Sequence, residues 1–136
     1  MSEKRTILMA TMGMDIGGAE THIVELSKQL KSQGHDVIIV SNGGVYVPEI
    51  AAAGIRHYQA PLNRRDVGQM RRARAILKDV LKKERPDIVH AHARIPAFLC
   101  GRLQKSMGLE LDPEKPVIAM ITRLVGMKGL DLVRYI

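Results

Sequence analysis

The chain of 136 residues is poor in aromatic side chains and thiols. It contains no tryptophan, one phenylalanine, three tyrosines and a single cysteine, Cys100. One cysteine excludes an internal disulfide and is typical of a reducing compartment, so we expect a cytoplasmic location. Few aromatic side chains disfavour binding of single-stranded nucleic acid by base stacking. Hydrophobic residues make up 46% of the chain, which is typical of an ordinary globular protein.

Long apolar runs are also missing. No run reaches the roughly 18 residues that a membrane span needs, so we predict no transmembrane segment. The N-terminus, MSEKRTILMATMG, begins with basic residues but lacks a small-residue cleavage site. We therefore interpret it as the start of a strand and not as a signal peptide.

Positive charge is abundant, with a formal net charge of +7 at pH 7. Nucleic acid, an anionic membrane or a phosphorylated ligand would each suit such a chain. Much of the charge lies in one segment, whose cations are Arg64, Arg65, Arg71, Arg72, Arg74, Lys78, Lys82, Lys83 and Arg85. We interpret this segment as the solvated face of a helix. No recognised motif accompanies it, so we predict no specific nucleic-acid partner.

Short apolar runs alternate with segments of helical periodicity. Strands are predicted at residues 4–11, 36–41, 55–60, 87–91 and 116–122, with a helix after each. The inward stripes of the helices are predicted to include Ala19, Ile23, Leu26, Leu30, Met70, Ala73, Leu77, Val80, Phe98, Leu99 and Leu103. This alternation predicts an α/β fold: one Rossmann-like, doubly wound domain over residues 1–136, with about five parallel strands in the order 3-2-1-4-5.

The first candidate site is the glycine-rich loop between the first strand and the first helix, which contains Gly17 and Gly18. Glycine lets the backbone approach a ligand closely, and a helix N-terminus offers unpaired N–H groups to a phosphate. The spacing matches neither common phosphate-binding fingerprint. A plain turn that needs a positive φ angle is therefore an equal alternative.

The second candidate is a strand-to-helix loop with Arg123 and Lys128. An arginine and a lysine five residues apart across such a loop could both reach one diphosphate. Two unrelated surface cations are the alternative.

The third candidate is the pair His90 and His92 at the end of the fourth strand. Strand alternation places both side chains on one face. No third ligand is evident nearby, so we predict no metal site. A polar or active-site role at the strand end is the preferred interpretation. Cys100 lies in an apolar helical stripe and is predicted to be a core residue.

Two stretches carry a family resemblance: ILMATMGMDIGGAETHIVELSKQLKSQGHDVIIVS and RPDIVHAHARIPAFLCGRL. They resemble the N-terminal domain of bacterial retaining glycosyltransferases of the family-four type, over residues 5–104. That family has the GT-B fold, in which two Rossmann-like domains face a cleft. The resemblance implies that Gly17 and Gly18 approach the donor phosphate and the acceptor, and that His92 faces the cleft. It implies a nucleotide-diphosphate sugar as the donor and no other cofactor.

A second resemblance, to a different domain, is carried by the segment LQKSMGLELDPEKPVIAMITRLVGMKGLDLVRYI. This segment is similar to the start of the C-terminal domain of bacterial glycogen synthases. The resemblance implies that Arg123 and Lys128 bind the donor diphosphate and stabilise the leaving group. The two similarities meet near residue 105, so residues 5–105 and 106–136 are predicted to come from two different domains. We expect a chimera or deletion product in which PVIAMIT replaces a missing fifth strand.

The expected function follows from these two resemblances. A truncated or chimeric glycosyltransferase domain offers half a cleft, and transfer needs donor and acceptor held together in a closed site. We therefore expect no catalytic competence from the domain alone and assign no catalytic residue. The alternatives are a module that binds nucleotide-sugar or phosphate, and a half-enzyme that self-associates as a homodimer.

Overall fold

A computed structural model describes residues 3–106, which form four strands alternating with four helices. The elements are β1 (Thr6–Thr11), α1 (Gly18–Ser32), β2 (Asp36–Ser41), α2 (Val47–Ala52), β3 (Arg56–Gln59), α3 (Val67–Glu84), β4 (Ile88–His92) and α4 (Arg94–Ser106). The predicted fifth strand and the loop with Arg123 and Lys128 lie outside the described residues.

The four strands form one parallel sheet in the order β3-β2-β1-β4. The predicted α/β class and the order 3-2-1-4 are thereby confirmed. In the register, Met9 of β1 lies beside Ile39 of β2 on one side and beside His90 of β4 on the other. The strand order reverses between β1 and β4, and open parallel sheets bind their ligands beyond the carboxyl ends of the strands at such a reversal.

The sheet is covered on both faces, as its continuous apolar strands require. One face packs against α3 and α4, and its buried residues include Leu8, Ile38, Leu77, Leu99 and Leu103. The other packs against α1 and α2, and its buried residues include Met9, Met14, Ile23, Ile39 and Ile50. Each fully buried aliphatic side chain contributes about 1.5–3 kcal/mol, so this two-sided core fixes the position of every strand end.

The helix ends follow local sequence signals. Asp66 caps α3, with its carboxylate Oδ2 accepting a hydrogen bond from the Gln69 amide at 3.1 Å. Gly34 and Gly54 follow α1 and α2 with φ angles of 92° and 78°, which a residue with a side chain adopts only with strain. The start of β2 agrees with the prediction, and β3 begins at Arg56, one residue after its predicted start.

Two predicted members of the inward helical stripes are wrong. Ala19 is exposed in the first turn of α1, where Ile23 and Val24 are the first buried residues. Phe98 is 52% exposed, because Leu99 and Leu103 occupy the inward positions of α4 one turn apart. The Phe98 ring lies instead beside the Arg102 guanidinium, 5.5 Å from centroid to carbon.

Candidate functional site

The loops that follow β1 and β2 at the carboxyl edge of the sheet are tied together by backbone hydrogen bonds. The Met14 amide donates to the Gly43 carbonyl at 2.9 Å, and the Asn42 amide donates to the Met12 carbonyl at 3.1 Å. Gly44 has a φ angle of 152°, and a Cβ atom there would lie 2.6 Å from the Asp15 amide nitrogen. Both the φ angle and the close approach require glycine, so Gly44 allows the two loops to pack closely together at this edge.

Gly17 and Gly18 form the entry to α1. Gly17 is the N-cap, with extended backbone (φ −174°, ψ 164°), and no side chain caps the helix. Neither glycine has a positive φ angle, so this turn does not need glycine for that reason. An added Cβ on Gly18 would meet nothing within 4 Å. The first turn of α1 therefore presents N–H groups without a capping side chain beside an open surface.

Glu20 lies directly against this loop. A Cβ atom on Gly17 would collide with the Glu20 carboxylate, so the side chain of Glu20 occupies the space that Gly17 leaves free. A carboxylate at this position interacts favourably with the N-terminal end of the helix. Glu20 is the last residue of the predicted loop, residues 14–20, but no role was predicted for it. Its place in the first helical turn after two glycines is the signal that could have found it.

His90 and His92 lie on one face of β4, as predicted. Their ring centroids are 3.9 Å apart. His92 pairs in register with Thr11, the last residue of β1. The Nε2 atom of each ring is buried and has no hydrogen-bond partner among residues 3–106. Buried polar atoms without partners are uncommon and costly, which marks this strand end as a candidate for ligand contact.

Burial keeps both imidazoles neutral. It lowers the pKa of His92 to about 3, with smaller contributions from His90 and His22, and it also lowers the pKa of His90. A neutral imidazole donates one hydrogen bond and accepts another. His92 can therefore hydrogen-bond a hydroxyl group at pH 7 but cannot serve as a cationic anchor.

Metal binding and membrane insertion find no support in the part of the chain that the structure describes. No group of three or more histidine, cysteine, aspartate or glutamate side chains there could hold a metal ion. No helix in this part is both long and apolar enough to cross a membrane. Cys100 of α4 is partly buried against the core, and burial raises the pKa of its thiol to about 11, so the thiol is protonated at pH 7.

A pocket of about 700 Å³ opens at the same edge of the sheet, between the ends of β2 and β3 and the start of α3. Its polar lining residues are Asn42, Gln59, Arg64, Asp66, Gln69 and Arg72. The two arginines were predicted only as part of a solvated helix face, and the pocket was not predicted. Its walls come from three segments that meet only in the folded chain.

Comparison with known proteins places these features in a family. Residues 16–121 match the profile of Glycosyltransferase Family 4. One subunit of the human phosphatidylinositol N-acetylglucosaminyltransferase is 31% identical over 104 residues, which are 71% of this chain and 22% of that protein. The N-acetyl-alpha-D-glucosaminyl L-malate synthase of Bacillus anthracis is 27% identical over 96 residues, 68% of this chain and 25% of that protein.

Solved structures agree with the profile. A glycosyltransferase from Rickettsia africae superposes with a TM-score of 0.64 at 29% identity, over 77% of this chain and 28% of that one. MurG of Acinetobacter baumannii has a TM-score of 0.61 at 19% identity, over 96% of this chain and 39% of that one, and supports the fold alone. The chain thus spans about a quarter of the length of the curated relatives that it matches. With the profile matching more than half of its residues, the chain belongs to Glycosyltransferase Family 4.

Proposed function

We propose that this chain forms one wall of the transfer cleft of a nucleotide-sugar-dependent glycosyltransferase and does not transfer sugar efficiently by itself. The observation that carries the proposal is the pairing of two features at the strand reversal between β1 and β4. These are the uncapped start of α1 at Gly17 and Gly18 and the unpartnered Nε2 atom of His92. Family membership supplies the reaction class.

In this proposal the start of α1 receives a phosphate of the donor. Gly18 leaves the approach open, and the N–H groups of a helix N-terminus bind oxyanions well. Glu20 must then rotate away from Gly17, because its carboxylate would repel a phosphate bound at the start of α1. Arg123 and Lys128 are proposed as further anchors of the diphosphate, on the resemblance of their motif to that of glycogen synthases noted in the sequence.

His92 is proposed to face the sugar and not the phosphate. Its neutral ring, with the pKa lowered by burial, offers a hydrogen bond to a hydroxyl group and no attraction to an anion. A ligand hydroxyl at Nε2 would satisfy a polar atom that has no partner among the described residues. The two curated relatives are named for N-acetylglucosaminyl groups, which makes that sugar the first donor to test.

The lack of efficient transfer by the chain alone is a separate part of the proposal. Glycosyl transfer needs two substrates held in line and a stabilised leaving-group charge in a site closed to water. Residues 3–106 form one four-stranded parallel sheet with helices on both faces, and its carboxyl edge offers a single wall to a ligand. One wall can bind a ligand, but it cannot close around two.

Calorimetric titration and a transfer assay test these two parts. We expect UDP or UDP-N-acetylglucosamine to bind the full chain measurably, and Arg123→Ala to weaken that binding. We expect no multiple-turnover release of sugar from UDP-N-acetylglucosamine. Equal, negligible heat for UDP, GDP and ADP in the wild type and in Arg123→Ala would contradict the proposed nucleotide binding. Sustained turnover would contradict the proposal that the chain alone does not transfer sugar efficiently.

The charge on Glu20 gives a sharper test of the phosphate site. Glu20→Gln removes a negative charge beside the proposed phosphate, and a like charge at this range in a half-exposed site costs about 1 kcal/mol. We therefore expect UDP to bind about fivefold more tightly to the variant. Glu25→Gln, one turn further along α1 and exposed, is the matched control and should leave the affinity unchanged. Unchanged or weaker UDP binding in Glu20→Gln would place the phosphate elsewhere.

A further inference from the structure

We propose that the pocket between the ends of β2 and β3 and the start of α3 binds a phosphate group on the molecule that accepts the sugar, with Arg64 and Arg72 as its ligands. The assignment to the acceptor rests on the proposed function, because the start of α1 is there given to the donor. The pocket itself is a separate site, formed by other loops of the same sheet edge.

The walls of the pocket come from three places. Asn42 follows β2, Gln59 ends β3, and Arg64 lies in the loop that leads to α3. Gln69 and Arg72 are three residues apart on α3 and so share one helix face. Carboxamide and guanidinium groups thus surround a volume of about 700 Å³, which is large enough for a small phosphorylated molecule.

The charges of the pocket favour an anion. Arg64 and Arg72 form no ion pair with a carboxylate among residues 3–106, whereas Arg56 at the opposite edge contacts both Asp36 and Glu84. Two guanidinium groups can bind one phosphate through paired N–H donors.

One carboxylate also lines the pocket, that of Asp66, and it has a partner. Its Oδ2 atom accepts the hydrogen bond from the Gln69 amide that caps α3. With two arginines against this one aspartate, the lining carries a net charge of +1. The carboxylate therefore fixes the helix start without cancelling the attraction for a phosphate.

The pocket lies beside the glycine loop. Asn42 in its wall donates its amide hydrogen to the carbonyl of Met12, in the loop that follows β1. Gln59 in turn donates to the Asn42 carbonyl, at 3.4 Å. A phosphate held by the two arginines would therefore leave the rest of the acceptor free to extend along the carboxyl edge toward β1.

Binding of inorganic phosphate and glycerol 1-phosphate tests the pocket without any nucleotide. Calorimetric titrations in a phosphate-free buffer compare the wild type with Arg64→Gln and Arg72→Gln. Arg71→Gln is the matched control, because it removes the same charge from an exposed position of α3 outside the pocket. Circular dichroism checks that each variant is folded.

We expect each pocket variant to lose about tenfold in affinity for glycerol 1-phosphate, as the loss of a charge-assisted contact implies, and Arg71→Gln to lose less than twofold. Equal losses in Arg72→Gln and Arg71→Gln would mean general attraction to a basic surface and would overturn the proposal. So would saturable phosphate binding that neither pocket variant affects.

A second arm identifies the source of the phosphate. Vesicles of phosphatidylcholine with and without phosphatidylinositol are added to the same proteins. Binding that needs phosphatidylinositol, competes with glycerol 1-phosphate and depends on Arg72 would assign the pocket to a lipid headgroup. Saturable glycerol 1-phosphate binding without vesicle binding would assign it to a soluble acceptor. If the wild type does not bind UDP but binds glycerol 1-phosphate in an Arg72-dependent manner, the proposed function is wrong and the phosphate site in the pocket stands.

Discussion

Acidification should destabilise the folded chain through the buried histidine pair. Burial lowers the pKa of His92 from near 6.5 to about 3 and lowers that of His90 as well. Between those two pH values the unfolded chain binds more protons than the folded chain, so the free energy of unfolding falls as the pH falls through that window. At pH 5 the full shift of His92 corresponds to about 2 kcal/mol, and solvent screening of the partly exposed ring reduces this to about 1 kcal/mol.

Urea denaturation followed by circular dichroism at pH 7 and pH 5 measures this loss. The pH range ends at 5, above the ordinary pKa values of aspartate (3.8) and glutamate (4.5). The lowered pKa values of Asp36 and Glu84 affect stability mainly below those values. The double variant His90→Gln/His92→Gln should lose a large part of the difference between the two pH values, and His57, whose pKa burial also lowers, should account for the remainder. His22→Gln, an exposed histidine of α1, should keep most of it. The same pH dependence in the wild type and the double variant would refute the reasoning.

Two further predictions concern positions whose roles are structural. Gly44→Ala should lower the free energy of unfolding by more than about 2 kcal/mol, because its Cβ would collide with backbone and its φ angle is positive. Gly18→Ala faces open space and should change stability by less than about 1 kcal/mol. Arg56→Met should cost about 1 kcal/mol by leaving two carboxylates without their guanidinium partner. Arg71→Met, without such an ion pair among the described residues, should cost little. Urea denaturation midpoints measure the loss of stability in each variant. Equal midpoints within a pair would contradict the structural role given to Gly44 or to Arg56.

The fold was predictable because its signals are local. Runs such as DVIIVS are apolar on both faces and identify buried parallel strands, while Asp66, Gly34 and Gly54 mark helix boundaries. The error at Phe98 has a local cause too. Phe98 and Leu99 are adjacent apolar residues about 100° apart around the helix, and their apolar character alone does not show which of them points inward.

The candidate site was less predictable because it is assembled across the sheet edge. Gly17, Gly18 and His92 could be selected, since each ends or follows a strand at the carboxyl edge of the sheet, where open parallel sheets bind their ligands. The pocket could not be predicted, because Asn42 and Arg72 are 30 residues apart in the sequence and come together only in the folded chain. The neutrality of His92 depends on burial by its neighbours, which no spacing in the sequence records.

One spectrum tests the central claim most directly: the backbone amide correlation spectrum of the isotopically labelled chain, recorded with increasing UDP. We predict saturable shifts concentrated at the amides of Gly17 to Thr21 and at the end of β4 near His92. Shifts confined to the opposite edge, near Asp36 and Arg56, or no saturable shift at all, would contradict the assignment of this edge as a wall of the transfer cleft.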